Sequence, residues 1–310
     1  MTHKPLLRRH SPYEIREYVQ AYLMILMSMI GMAVFVLYPI SWVLRWSLFS
    51  YNGLTTARYV GISNFVRAFT RDPAYWMTVA NTFALALGKL AVELPLALVM
   101  AYILDKKFAL RHVFRTLYFL PTIISVAIAG VIFYFLFASY DGVVNNVLMA
   151  FGVVQRPINW FATKWSALLV TGIASIWQTF GITMVLFLTG LQSISRELYE
   201  SADIDGAREH RKLLSITIPM LGPVMQIIIM VALLGSLKIT DLILVLTGGR
   251  PAGKTEVMMT YIYKKFFADE GAGTAADFGY AAALSVITSV ILGVVTFMYL
   301  RYSRKQSSIY

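Results

Sequence analysis

Six stretches of this chain run for about 20–30 residues with almost no charge, and that pattern limits what it can fold into. The first lies between Glu17 and Arg45, the third between Arg115 and Asp141, and the fourth between Lys164 and Arg196. The fifth runs from Lys212 to Lys238 and resumes from Leu242 to Leu246. The sixth lies between Asp277 and Arg301, and the second, over 74–104, is apolar apart from Lys89 and Glu93. A bilayer offers no water to the backbone, so a spanning segment must bond its own amides as a helix or join a closed barrel. No period-2 alternation supports a barrel. Only 14% of residues are charged, against about 25% in soluble domains, and mean hydropathy is +0.66. The expectation is one all-α integral membrane domain over 1–310. Its six transmembrane helices fall near 18–44, 74–104, 116–140, 166–191, 220–246 and 278–300. The first run is too long for a signal-peptide core and lacks a small-residue cleavage site, so it reads as a retained helix.

The loops orient the chain. With the N-terminus inside, the inner segments 1–20, 103–115, 192–217 and 301–310 hold four, four, four and three Lys/Arg. The longer outer loops 45–73, 138–165 and 247–279 hold four, two and four. That density predicts both termini in the cytoplasm. The net charge of +11 thus reflects a membrane partner and not a nucleic acid, because the cations punctuate apolar runs and line no single face. No cysteine is present, which removes disulfide and thiolate chemistry. His3, His10, His112 and His210 are scattered beside basic residues, so no metal site and no cofactor is expected.

The inner loop over 192–219 carries the most specific pattern. It is helix-prone to Ile204, then Asp205-Gly206 supplies a turn, and helix-prone residues resume from Ala207 to about Leu214. Small residues Ser201, Ala202, Gly206 and Ala207 sit at the bend, where another protein's surface could approach the backbone. On physical grounds alone an amphipathic interfacial loop reads the same way.

A resemblance to a known family resolves that ambiguity. Glu200-Ser201-Ala202, Gly206 three residues on, and Ile216, Ile218 and Pro219 after nine more follow the "EAA" signature of ABC importer permeases. Ser201 replaces the middle Ala and Ile218 replaces Leu. The surrounding LTGLQSISRELYESADIDGA resembles the carbohydrate-uptake branch of that family, the maltose and glycerol-3-phosphate type. DLILVLTGGRPAGKTEVMMTYIYKKFF and FGYAAALSVI resemble it too, and the likeness covers most of 18–302. The resemblance implies a type I importer permease fold in a bacterial cell membrane. It implies a pore shared with a second homologous permease subunit and two cytoplasmic ATP-binding subunits, each receiving one such loop. An extracellular or periplasmic solute-binding protein would deliver a sugar or oligosaccharide. The chain would itself be no enzyme. Glu200, Ser201, Ala202, Asp205, Gly206, Ala207, Ile216 and Pro219 would form the coupling loop, with Arg208, Arg211 and Lys212 touching acidic groups of the ATPase or anionic lipid.

Other residues are candidates for the solute pathway. Trp177, Gln178, Thr179 and Phe180 place an indole, an amide and a hydroxyl near one depth, which suits sugar rings as well as helix packing. Lys89 and Glu93 are four apart near mid-bilayer, so they share a helix face and are expected to pair. They are either a local ion pair or part of the pathway. Lys238 and Asp241 are a snorkelling local pair or solute contacts. Trp42, Trp46, Tyr51 and Tyr59 read as an interfacial aromatic belt. Gly248–Thr255 matches the phosphate-loop pattern after a strand-like LILVL, but it falls in an outer loop and no magnesium-binding Asp follows. Two alternatives to a sugar importer remain. A permease for another solute would share every feature above. An ion-gradient-driven transporter would place acidic residues deep in several spans, where this chain has Glu93 alone.

Overall fold

The computed structural model describes residues 12–54, 56–106, 108–267 and 276–307. Helix α1 (Pro12–Met32) continues through a π-helical turn at Ala33–Leu37 into α2 (Tyr38–Trp46). A short antiparallel pair, β1 (Phe49–Ser50) and β2 (Arg58–Tyr59), and α3 (Ser63–Thr70) follow. This small strand pair in the 45–73 loop departs from the all-helical expectation. The rings there pack together, Trp46 stacked on Tyr51 with centroids 4.7 Å apart and Phe49 edge-on to Tyr59 at 5.4 Å.

Helix α4 (Pro73–Asp105) starts where Asp72 caps the backbone amide of Tyr75 and Pro73 supplies a preset φ. Its 33 residues span about 50 Å, more than the ~30 Å hydrocarbon layer, so both ends stand clear of it. Asp72 also accepts bonds from the Tyr261 and Tyr280 hydroxyls at 2.8 and 2.6 Å, which ties the start of α4 to two later helices. Helix α8 (Lys164–Gln192) begins on a Thr163 cap and is the main partner of α4. Ala97, Ala101 and Leu104 of α4 pack with Met184, Phe187, Leu188 and Leu191 of α8 in the largest apolar cluster. Small side chains on α4 let the two backbones approach.

Among the described residues, four helices are long and apolar enough to cross a membrane, or up to six if each bent pair is one span. Two expected spans are therefore not single helices. The stretch 116–140 is α5 (Arg111–Ile123) and α6 (Val126–Leu136), bent by 99°. Pro121 weakens the last turn of α5, and Ile124 and Ser125 are extended. After α7 (Val143–Ala150), α8 and α9 (Arg196–Ile204), the chain reaches α10 (Glu209–Lys212), a π-turn at Leu213–Thr217 and α11 (Ile218–Met220). Helix α12 (Gly222–Leu237) follows a 74° bend at Leu221, and Pro223 sits in its first turn. The stretch 220–246 is broken again at 238–240, and α13 (Asp241–Leu246) packs on α6. Helices α14 (Met258–Phe266) and α15 (Phe278–Ser307) complete the chain.

The apolar face of the Arg16–Trp46 helix is unburied within this chain, in contrast to the interior position of α8.

Candidate translocation cavity and inner loop

Helices α4, α8, α12 and α13 wall a half-open cavity of about 360 Å³. Six of the eight candidate pathway residues line it: Lys89, Glu93, Gln178, Thr179, Lys238 and Asp241. The break at 238–240 brings the last two there, since an unbroken helix would have carried Asp241 onward. Ser175 and Thr183 also line the wall, and no sequence signal marked them.

Lys89 Nζ lies 3.5 Å from Glu93 Oε2, with the side chains 6% and 1% exposed. The expected pair therefore exists and is buried. Its geometry is asymmetric. Glu93 Oε1 accepts from Thr179 Oγ1 at 2.9 Å and from Thr183 Oγ1 at 2.7 Å, which bridges α4 to α8. Glu93 Oε2 has no hydrogen-bond partner. A buried carboxylate with one oxygen satisfied and the other facing only a distant ammonium retains accepting capacity.

Trp177 and Phe180 do not line the cavity, and of the two readings left open for them the packing one applies. One helical turn carries 3.6 residues, so four consecutive side chains point in four directions. Trp177 turns to Phe133 of α6, centroids 5.4 Å apart, and Phe180 to Tyr118 of α5 at 5.7 Å. Gln178 donates from Nε2 to the Ile124 carbonyl at 3.1 Å, satisfying an orphan acceptor at the α5–α6 break. Thr122 returns a bond to the Gln178 carbonyl at 3.0 Å. Lys238 and Asp241 make no ion pair with each other, so the expected local pair is corrected too. Both are solvent-exposed at the edge of the cavity.

The inner loop folds as helix, turn, helix. Ser195 caps α9, and Gly206 takes φ of +67° at the bend. Side chains rarely adopt that backbone region, and no heavy atom lies within 4 Å of the Cβ position. Glu200, Ser201, Asp205 and Gly206 face outward, Ala207, Ile216 and Pro219 are half-buried, and Ala202 is buried. A surface hollow is lined by Ala202, Asp205, Gly206, Ala207, Arg208, His210 and Arg211. Lys212 does not face out with Arg208 and Arg211. It is buried and pairs with Asp203 and Glu209. Among the histidines, His3 and His10 lie outside the described residues, and His112 accepts a bond from Arg111 at 3.3 Å.

The phosphate-loop pattern folds as a packed turn. Its LILVL prefix lies in helix α13, so the strand–loop–helix frame is missing. The Thr255 hydroxyl is fully buried and donates to the Arg250 carbonyl at 2.7 Å. The Asn81 amide of α4 holds the Lys254 and Glu256 carbonyls at 2.8 and 2.7 Å. Those groups fix the turn after α13 against α4. Lys254→Ala will leave ATP hydrolysis by any ATPase assembled with this chain near normal. Labelling of this chain by a photoreactive ATP analogue, lost on that substitution, would overturn this.

A largely apolar cavity into which charged, amide and hydroxyl side chains reach from bent and crossing helices, together with a helix–turn–helix loop, fits a multi-pass membrane permease. Residues 93–308 match the family described as the binding-protein-dependent transport system inner membrane component, and the chain belongs to that family. It is a pore subunit without enzymatic activity, and the ATPase is a separate component. It is 32% identical to the lactose transport system permease protein LacF of Rhizobium radiobacter, over 93% of this chain and 95% of that one. It is 30% identical to the trehalose/maltose transport system permease protein MalF of Thermococcus litoralis, over 95% and 97%. Its fold matches a chain of a bacterial alginate ABC transporter, solved in complex with an alginate pentasaccharide-bound periplasmic protein. The TM-score is 0.81 at 23% identity, covering 94% of this chain and 96% of that one. At that identity the likeness is one of fold, that of type I importer permeases.

Proposed function

We propose that this chain forms half of the pathway of a sugar or oligosaccharide importer in a bacterial inner membrane, with both termini in the cytoplasm. The convergence of six polar or charged residues, from α4, α8, α13 and the break before α13, on one cavity carries this reading. A sugar needs hydrogen-bonding partners in place of water, and hydroxyl, amide and carboxylate groups supply them. The sugar-transport names of the relatives support the substrate class. A second permease subunit closes the pathway, a solute-binding protein delivers the sugar from outside, and two ATPase subunits each receive one inner loop. In this chain the loop is 192–219, with Glu200, Asp205 and Gly206 outermost. Proteoliposomes holding the assembled transporter and its binding protein should accumulate labelled oligosaccharide when loaded with ATP. Uptake of amino acids and not of sugars would overturn the substrate class.

Gly206→Pro should uncouple the two machines. Proline locks φ near −65°, opposite in sign to the bend, and removes the amide that bonds the Asp203 carbonyl at 3.0 Å. The variant is expected to reach the membrane while loaded binding protein no longer stimulates ATP hydrolysis. Normal stimulation and uptake would remove the loop from the coupling path.

A further inference from the structure

The inner loop is tied back to α4 by contacts no sequence motif marks. Glu209 opens α10, three residues after the Gly206 bend. Its Oε2 accepts from Lys106 Nζ and, at 3.1 Å, from the Tyr102 hydroxyl, both at the inner end of α4. Its Oε1 accepts from Lys212 Nζ at 3.0 Å, and Lys212 also pairs with Asp203 of α9. One carboxylate thus joins α4, α9 and α10.

Apolar packing backs the polar hub. Tyr199 of α9 and Tyr102 belong to the cluster built on Ala101, Leu104 and Leu191. The Tyr199 and Thr217 hydroxyls lie 2.9 Å apart across the loop. The Lys106 ammonium foremost, then Lys212 and Tyr102, hold the Glu209 carboxyl at about 2, below its ordinary 4.5. A depressed carboxyl stabilises its contacts fully above its ordinary value, and that gain is lost as pH falls toward 2. The hub is therefore intact throughout the neutral range.

Helix α4 runs unbroken from this hub to the cavity. Glu93 stands 13 residues from Lys106, about 20 Å along the axis. An isolated exposed ion pair contributes little. Here one carboxylate collects two donors from the end of α4 and one from its own helix α10, which fixes the position of α10 on α4 more than it adds stability.

We propose that Glu209, with Lys106 and Tyr102, is a positioning joint that carries movement of the inner loop along α4 to the Lys89–Glu93 wall of the cavity. This rests on the loop being the ATPase seat. The joint stays closed through the transport cycle.

The test uses the complete transporter in proteoliposomes with its binding protein. In Glu209→Gln the ATPase should still co-purify and hydrolyse ATP, while solute moved per ATP falls about fivefold, the factor that roughly 1 kcal/mol is worth. Wild-type uptake per ATP would overturn the joint. Loss of co-purifying ATPase would also overturn it, by placing Glu209 in the seat itself. The chain has no cysteine, so Lys106→Cys with Glu209→Cys gives one addressable pair. Bridging that pair with a short bismaleimide should restore uptake per ATP toward wild type, which a purely structural role would not do. A bridge that blocks uptake would show that the contact must open, and the proposal fails. Failure of the seat is read separately, from normal coupling in Gly206→Pro.

Discussion

Glu93→Leu alone will destabilise the protein by about 3–5 kcal/mol, because it strands a lysine inside the membrane. Lys89 is 6% exposed and has no other acidic partner within salt-bridge reach among the described residues. A lone cation at the centre of a bilayer costs about 2.5–3.5 kcal/mol on insertion scales, and the lost hydrogen bonds add to that. The hydroxyls contribute the smaller part. Thr179 and Thr183 keep their bonds to the Ser175 and Thr179 carbonyls at 2.9 and 3.2 Å when Glu93 is removed. The charge therefore decides the outcome. Replacing both Lys89 and Glu93 with Leu should recover most of the stability, since no charge is left unpaired. The double variant separates packing from function. If the pair served packing alone, uptake would return with assembly. With the pair in the cavity wall, the double variant should assemble normally and transport poorly. A contact from solute to a charged group is worth about 1.5–3 kcal/mol, so uptake should fall at least about tenfold. Thermal unfolding in detergent and uptake in proteoliposomes, measured on both single variants and the double, distinguish the cases. A single variant that melts and transports like wild type would show that the two are not buried together.

Gly181→Val should open the α5–α8 contact and cost at least about 2–3 kcal/mol. A Cβ at Gly181 would lie 2.2 Å from the Tyr118 carbonyl oxygen and 2.7 Å from the Phe119 Cα. Those are backbone atoms of α5, and no rotamer change can move them aside. The helices would have to separate, stretching the Gln178–Ile124 and Thr122–Gln178 bonds that hold the α5–α6 break beside the cavity. Gly172→Ala, on the same helix, is the control. Its Cβ would meet the Leu85 side chain at 3.7 Å, ordinary contact. Alanine is also the better helix former by up to about 1 kcal/mol, so that change should be neutral or slightly stabilising. Equal melting of the two variants would contradict the close approach at Gly181.

The legible part of this protein is the part that local chemistry decides. Charge-free runs of about 20–30 residues force helices because lipid offers no partner to the backbone. A spacing of four places Lys89 and Glu93 on one face, and two charges in an apolar run must meet. Asp205-Gly206 marks a bend because only glycine takes the φ of +67° cheaply. The EAA spacing needs no fold to be recognised. Tertiary structure alone decided which groups face the cavity. Trp177 and Phe180 share a depth with Gln178 and Thr179, yet helical rotation turns them onto α6 and α5. Hydropathy reads 116–140 as one span because a break of two residues leaves the apolar average intact, and it shows the interruption before Leu242 without its geometry. The break at 238–240 brings Lys238 and Asp241 to the same cavity as Glu93. Lys212 reads as one more basic residue of an exposed loop, but the bend folds it inward onto Asp203 and Glu209. Glu209 meets Lys106 across 103 positions of sequence. No periodicity carries a contact over that separation, because it depends on how α4, α8 and the inner loop cross in space.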